Sequence, residues 1–124
     1  MNKYTFILAI SSILLSSIAQ ITLKLGMSQP SVLQVMGQSA LIPLFKAIST
    51  NIYVITGLAL YFSSAAVWLF VLAKLDVSIA YPFVGIGFIF TMLLAYMING
   101  EPLTLMKVAG TVMITTGILL ISKA

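Results

Sequence analysis

The chain has no cysteine, no histidine and no arginine, and only Asp76 and Glu101 are acidic among its 124 residues. Without cysteine no disulfide can form, and without cysteine or histidine the usual zinc and copper sites are excluded. No nucleophile, base and orienting acid occur together, and no glycine-rich run has the form of a phosphate cradle, so catalysis is not expected. Ser16 and Lys24 might suggest a serine and lysine pair, but eight residues along a helix is a rise of about 12 Å. Neither a cofactor nor a metal is expected.

Charge of either sign is scarce. Charged residues make up 6% of the chain and hydrophobic residues 61%, whereas a soluble domain carries roughly 25% charged side chains. A soluble chain of this size has no core large enough to hide so much apolar surface. The surplus must face lipid or another subunit. The six lysines, at positions 3, 24, 46, 74, 107 and 123, give a net charge of +4. They stand singly and form no basic patch, which excludes a nucleic-acid surface.

Four apolar stretches cover residues 4–25, 52–73, 77–98 and 103–121. Each is close to the roughly 20 residues a helix needs to cross a hydrocarbon core. Only a helix, or a closed barrel, satisfies its backbone hydrogen bonds in lipid. The expected fold is therefore all-α: one integral membrane domain over residues 1–124, built as a four-transmembrane-helix bundle.

Gly26 and Pro30 close the first span, Asn51 is placed to cap the second, and Lys74-Leu75-Asp76 is a loop so short that helices two and three must be antiparallel. Asn99-Gly100-Glu101-Pro102 reads as the third turn, with Pro102 near a helix start. The longer segment 27–50 holds a moderately apolar stretch, 32–48, interrupted by Pro43. It is expected to be a short interfacial helix or an extension of helix two, with a re-entrant segment as the alternative. Lys3 before an apolar run and Ser17-Ile18-Ala19 imitate a signal peptide, but the run continues through Ile21, Leu23 and Leu25 as a retained span would.

With four spans, Lys3, Lys74 and Lys123 fall on one side of the membrane and Lys24, Lys46 and Lys107 on the other. Orientation follows an excess of lysine and arginine on one side, and here there is none. Either copies insert both ways and pair antiparallel, or subtler features or a partner fix one orientation. Lys24 and Lys107 lie near helix ends, where lysine snorkels.

Polar groups at membrane depth are costly against lipid. Ser12, Ser16, Gln20 and Lys24 recur every four residues on helix one and are expected to form one face. The serines suit either hydrogen bonding between helices or a substrate path, and Gln20 with Lys24 favours the path. Helix two presents Gly57, Tyr61, Ser64 and Trp68 at helical spacing, which can line an amphiphile's route or pack. Helix three begins Ala80-Tyr81-Pro82 and continues through Gly85 and Gly87. Pro82 and the two glycines are candidate hinges, or alternatively sites of tight helix contact. Gly110 and Gly117 on helix four allow close packing within the chain or between subunits. Glu101 stands beside a turn, as a cap, a solvated charge or a binding residue.

The runs Ala19-Gln20-Ile21-Thr22-Leu23-Lys24 and Ser78-Ile79-Ala80-Tyr81-Pro82, the pair Glu101-Pro102, and Gly110 and Gly117 before an aliphatic tail resemble the small four-helix members of the drug/metabolite transporter superfamily. The likeness covers residues 7–24 and 51–122, and the first connection is less typical. In small multidrug resistance exporters a glutamate in helix one exchanges protons for cationic substrates. The matching position here is Ser16, which cannot titrate, so that mechanism does not carry over. The chain is more similar to the paired small subunits that flip aminoarabinose-phosphoundecaprenol across the bacterial inner membrane. Their shared residues correspond to Gln20, Lys24, Tyr81, Pro82, Glu101 and Pro102.

The resemblance implies a transporter of the bacterial cytoplasmic membrane that moves a lipid-linked sugar or similar amphiphile. Lys24 would meet a phosphate, with Ser12, Ser16 and Gln20 hydrogen-bonding a sugar, and Tyr61, Ser64, Trp68, Tyr81 and Glu101 completing the site. Four helices are too few to enclose a large polar path, so a dimer is expected: a homodimer, with an antiparallel pair as one arrangement, or a heterodimer with a similar subunit. The rivals are an exporter of small cationic or hydrophobic compounds and a membrane subunit that transports nothing and serves a partner.

Overall fold

The computed structural model describes residues 2–38 and 40–124, and the regular elements among them are all helices. In chain order these are α1 (Lys3–Met27), α2 (Pro30–Met36), α3 (Leu41–Ser49), α4 (Ile52–Leu72), α5 (Val77–Phe83), α6 (Ile86–Asn99) and α7 (Leu105–Ser122). Among the described residues, four units are long and apolar enough to cross a membrane: α1, α4, the consecutive pair α5–α6, and α7. With 18 to 25 residues each, they span roughly 27–38 Å at 1.5 Å per residue, enough for a hydrocarbon core. The fold is an all-α, four-span integral membrane bundle.

The ends of these helices have local causes. The Asn2 side chain accepts from Tyr4 N at 3.0 Å. Asn51 caps α4 by accepting from Tyr53 N and Val54 N, while its Nδ2 donates to the carbonyl of Gly26 at 3.3 Å. One side chain thus closes the start of α4 and ties it to the end of α1. Gly100 ends α6 in the left-handed region, at φ 69°, which costs glycine little. Helix α7 starts later than expected. Thr104 is its N-cap, accepting from Lys107 N at 3.2 Å, and Pro102 lies in the preceding turn, close to the helix start as expected.

Helix α1 is the centre of the bundle, packing along α4 on one side and α6 on the other. Lipid gives two helices no hydrophobic reason to associate, so contact depends on close approach and hydrogen bonds. Both occur here. A Cβ built on Gly57 would lie 2.7 Å from Leu23 Cγ, and one on Gly26 would lie 2.7 Å from Val54 Cγ2. Midway along the pair, Ser12 Oγ donates to the Ser64 carbonyl and Ser64 Oγ donates to the Ser12 carbonyl, each at 2.7 Å. On the other flank Gly87 sits against Ile13 and Ser17, and Ser17 Oγ reaches the Gly87 carbonyl at 3.3 Å.

Helix three is divided. Between α5 and α6 the backbone bonds tighten to three-residue steps, Val84 N to Tyr81 O, Gly85 N to Pro82 O and Gly87 N to Val84 O. Pro82 has no N–H to continue the normal ladder. The break positions Gly85 against Ile114 and Ile118 of α7, where a Cβ would meet both at 2.9 Å. Both glycines of this region are therefore close-contact positions.

The connection 28–51 corrects one reason given by the sequence. The interruption falls between the end of α2 at Met36 and the start of α3 at Leu41, and not at Pro43. Pro43 is the third residue of α3, in the first turn, where its missing N–H has no intrahelical partner to lose. Leu41, Phe45 and Ile48 share one side of α3, with Leu41 and Phe45 exposed, an amphipathic arrangement that suits the membrane interface.

The packing predicts that Gly57→Ala forces α1 and α4 apart. Overpacking of this kind costs about 1–3 kcal/mol. The thermal midpoint of the purified chain in mild detergent should fall, and an unchanged midpoint would refute this contact.

Candidate functional site

Six of the residues singled out in the sequence meet in one cleft. Ser12 and Ser16 from α1, Tyr61, Ser64 and Trp68 from α4, and Tyr81 from α5 line a cavity of about 240 Å³, completed by Ile13, Ala65 and Val84. Ser12 and Ser64 form a buried floor. Each hydroxyl donates to the other serine's carbonyl, so the Ser12 hydroxyl, expected to hydrogen-bond a sugar, already has a partner within the bundle. Ser16 Oγ donates to its own helix, at the Ile13 carbonyl, and is only half-buried. Trp68 touches both apolar clusters of the core, which fixes the indole as a wall. Tyr61 and Tyr81 are exposed, at 46% and 71%, and stand at the open side.

Gln20 and Lys24 do not join this cleft. Both are exposed, whereas Ala19 and Gly26 are buried. The single face expected of residues 12, 16, 20 and 24 does not hold over that length. At 3.6 residues per turn each step of four rotates about 40° beyond a full turn, so three steps carry the stripe roughly 120° around the helix. Ser12 faces α4, and Lys24 has turned away from it.

Glu101 belongs to a second site. It lines a groove of about 370 Å³ between α6 and α7, with Lys107, Thr111, Gly110, Phe88 and Ile114 among the other walls. Glu101 Oε2 accepts from Asn99 Nδ2 at 3.3 Å, and Lys107 Nζ donates to the Pro102 carbonyl at 2.9 Å. Asn99 Oδ1 is buried without a partner among the described residues. The sequence reading missed Lys107 as a site residue. Its signal was present: a lysine six positions after Glu101, across a turn that doubles back.

An apolar depression joins the two sites. It is lined by Tyr81, Pro82, Gly85, Gly117 and Ile118, shares Tyr81 and Val84 with the serine cleft, and shares Phe88 and Ile114 with the charged groove. Gly110 and Gly117 lie along this open side, and neither has an atom within 4 Å of where its Cβ would be. Among the described residues they make no close contact with another helix, so the packing within the chain that the sequence allowed is not seen at either.

The depressions open sideways from a four-span bundle, with polar groups along them, a form shared with small membrane proteins of the drug/metabolite transporter type. The chain is 32% identical over 121 residues to a probable 4-amino-4-deoxy-L-arabinose-phosphoundecaprenol flippase subunit ArnF from Photorhabdus laumondii, covering 95% of this chain and 96% of that protein. It is 34% identical over 124 residues to the protein of the same description from Proteus mirabilis, covering 98% and 93%. A probable flippase subunit ArnE from an Enterobacter strain is 44% identical over 57 residues, 46% of this chain and 53% of that one. The chain belongs to this family of small flippase subunits. It is a multi-pass protein of the bacterial inner membrane. No family model matches it, and no solved structure does.

With no native cysteine, single substitutions can report access to the cleft. Ser16→Cys and Tyr81→Cys should react with a membrane-permeant thiol reagent, and Ala19→Cys, at a position with 0% exposure, should stay protected. Equal labelling at positions 16 and 19 would contradict the packing of α1.

Proposed function

We propose that this chain is one subunit of a flippase that moves a polyprenyl-phosphate-linked sugar, or a closely similar amphiphile, between membrane leaflets. The observation that carries the reading is the lateral series of depressions from the serine cleft, past Tyr81 and Phe88, to the charged groove at Glu101 and Lys107. An amphiphile needs a path of this kind: its polar head follows a partly polar surface while its chain stays in the bilayer. A soluble cargo would need enclosure, which four helices do not supply. The names of the full-length relatives, which specify an undecaprenol-linked amino sugar, support the same cargo class.

Lys24 acts at the rim. It lies on the same membrane side as Glu101 and Lys107 by the order of the spans, and its exposed ammonium is placed to attract a phosphate at the boundary. The break at Val84–Gly85, behind Pro82, supplies the bend through which helix three changes tilt. A second subunit, identical or similar, covers the open face of α7 at Gly110 and Gly117 and closes the path from the other side. In this reading the chain does no catalysis, and its partners are lipid, cargo and the second subunit.

The test is reconstitution in liposomes, alone and with a second small subunit of the family, following leaflet exchange of an undecaprenyl-phosphate sugar beside uptake of a cationic dye. Lipid exchange is expected, and Lys24→Ala should slow it about tenfold, the order expected for one charge-assisted hydrogen bond. Dye uptake driven by a proton gradient, without lipid exchange, would falsify the reading. Full exchange by Lys24→Ala would remove only the phosphate role of that lysine.

A further inference from the structure

The chain has two acids, and they stand in different surroundings. Asp76 is exposed in a loop, whereas Glu101 is half-buried and lines the groove between α6 and α7. Lys107 stands exposed at the rim of the same groove, yet the two charges are not joined. The carboxylate is held by the neutral amide of Asn99 and the ammonium by the neutral carbonyl of Pro102. At a membrane boundary the surrounding dielectric is lower than in water, and an uncompensated charge there is costly. A ligand with one charge would leave one of the two unmet. A headgroup bearing both an ammonium and a phosphate compensates both.

The groove also has an apolar continuation. Phe88 and Ile114 pass from its walls into the next depression, which gives a hydrocarbon chain somewhere to lie. Its volume, about 370 Å³, falls within the range of small-molecule sites.

We propose that this groove is where the subunit recognises the amino group of its cargo, with Glu101 receiving the ammonium and Lys107 the phosphate. The assignment rests on the flippase reading and adds a specificity-determining residue to it. Glu101 selects for a lipid-linked sugar that carries a free amine.

The purified chain in non-ionic detergent is titrated with undecaprenyl-phosphate 4-amino-4-deoxyarabinose, with the same lipid N-acetylated, and with phosphatidylethanolamine, bound lipid being counted by native mass spectrometry. Wild type should bind the free amine about tenfold more tightly than the N-acetyl form, as the loss of a charge-assisted bond implies. Glu101→Gln should abolish that preference, and a thermal midpoint in detergent equal to that of wild type shows that the variant is folded. Lys107→Ala should weaken both sugar lipids alike and keep the preference.

A preference that survives in Glu101→Gln overturns the assignment, as does wild type binding the two sugar lipids equally. In either case leaflet exchange of both lipids would leave the flippase reading standing. Phosphatidylethanolamine binding as tightly as the amino sugar lipid would make the groove a general lipid site and overturn the assignment to cargo. Wild type binding neither sugar lipid would overturn this assignment and the flippase reading together.

Discussion

The bundle depends on how closely α4 and α6 approach α1. In water, apolar helices would be pressed together by solvent, but in lipid that pressure is absent and contact must be obtained by removing side-chain bulk or adding hydrogen bonds. Along α1 both devices recur in register. Gly26 and Gly57 let the backbones of α1 and α4 meet near one end, the reciprocal serines join them midway, and Ala9 meets Val71 and Ala80 near the other. Gly87 allows α6 onto the opposite flank.

This distribution decides where a site can be. Helix α7 lacks such a seam against the rest of the chain. Ile118 is its one buried residue among those described, held beside Ile13 and Phe83. A helix anchored mainly there leaves grooves along most of its length. The break in helix three follows the same logic: Gly85 seats the chain on Ile114 and Ile118, while the turn around it lets α6 continue against α1. Tight packing on one side and open surface on the other arise from the placement of a few small residues.

Much of the architecture was legible in the sequence because its causes are local or depend only on length. The spans follow from runs of apolar residues, the Asn51 cap from side-chain chemistry, and the helix-three break from Pro82 with Gly85. Other features escaped because they depend on helical phase or on distant partners. The polar repeat of α1 looked like one face because spacing of four is close to 3.6, and the difference matters only when accumulated from Ser12 to Lys24. Pro43 looked like a breaker because its effect depends on its position in a helix whose start was unknown. Ser12 and Ser64 each offered a free hydroxyl when read alone, and only their juxtaposition shows that each is spent on the other. Lys107 was read only as a snorkelling lysine, because its spacing from Glu101 becomes a shared groove only once the turn at Pro102 is known to fold α7 back beside α6.

The balance of charge across the membrane acquires a different meaning once depth is included. Each side carries three lysines and one acid, so counting gives neither orientation an advantage. The two sides are nevertheless unlike, because Glu101 is recessed in a groove and Asp76 stands in solvent. Charge count bears on insertion and recess on the proposed headgroup binding, and this chain separates the two. In an antiparallel pair the recessed ends would lie at opposite faces, so a headgroup would meet the same chemistry on arrival and departure. In a parallel pair both would lie at one face, and loading and release would differ. On the proposed flippase reading, the direction of transport would then depend less on any residue within the groove than on how a second subunit is inserted.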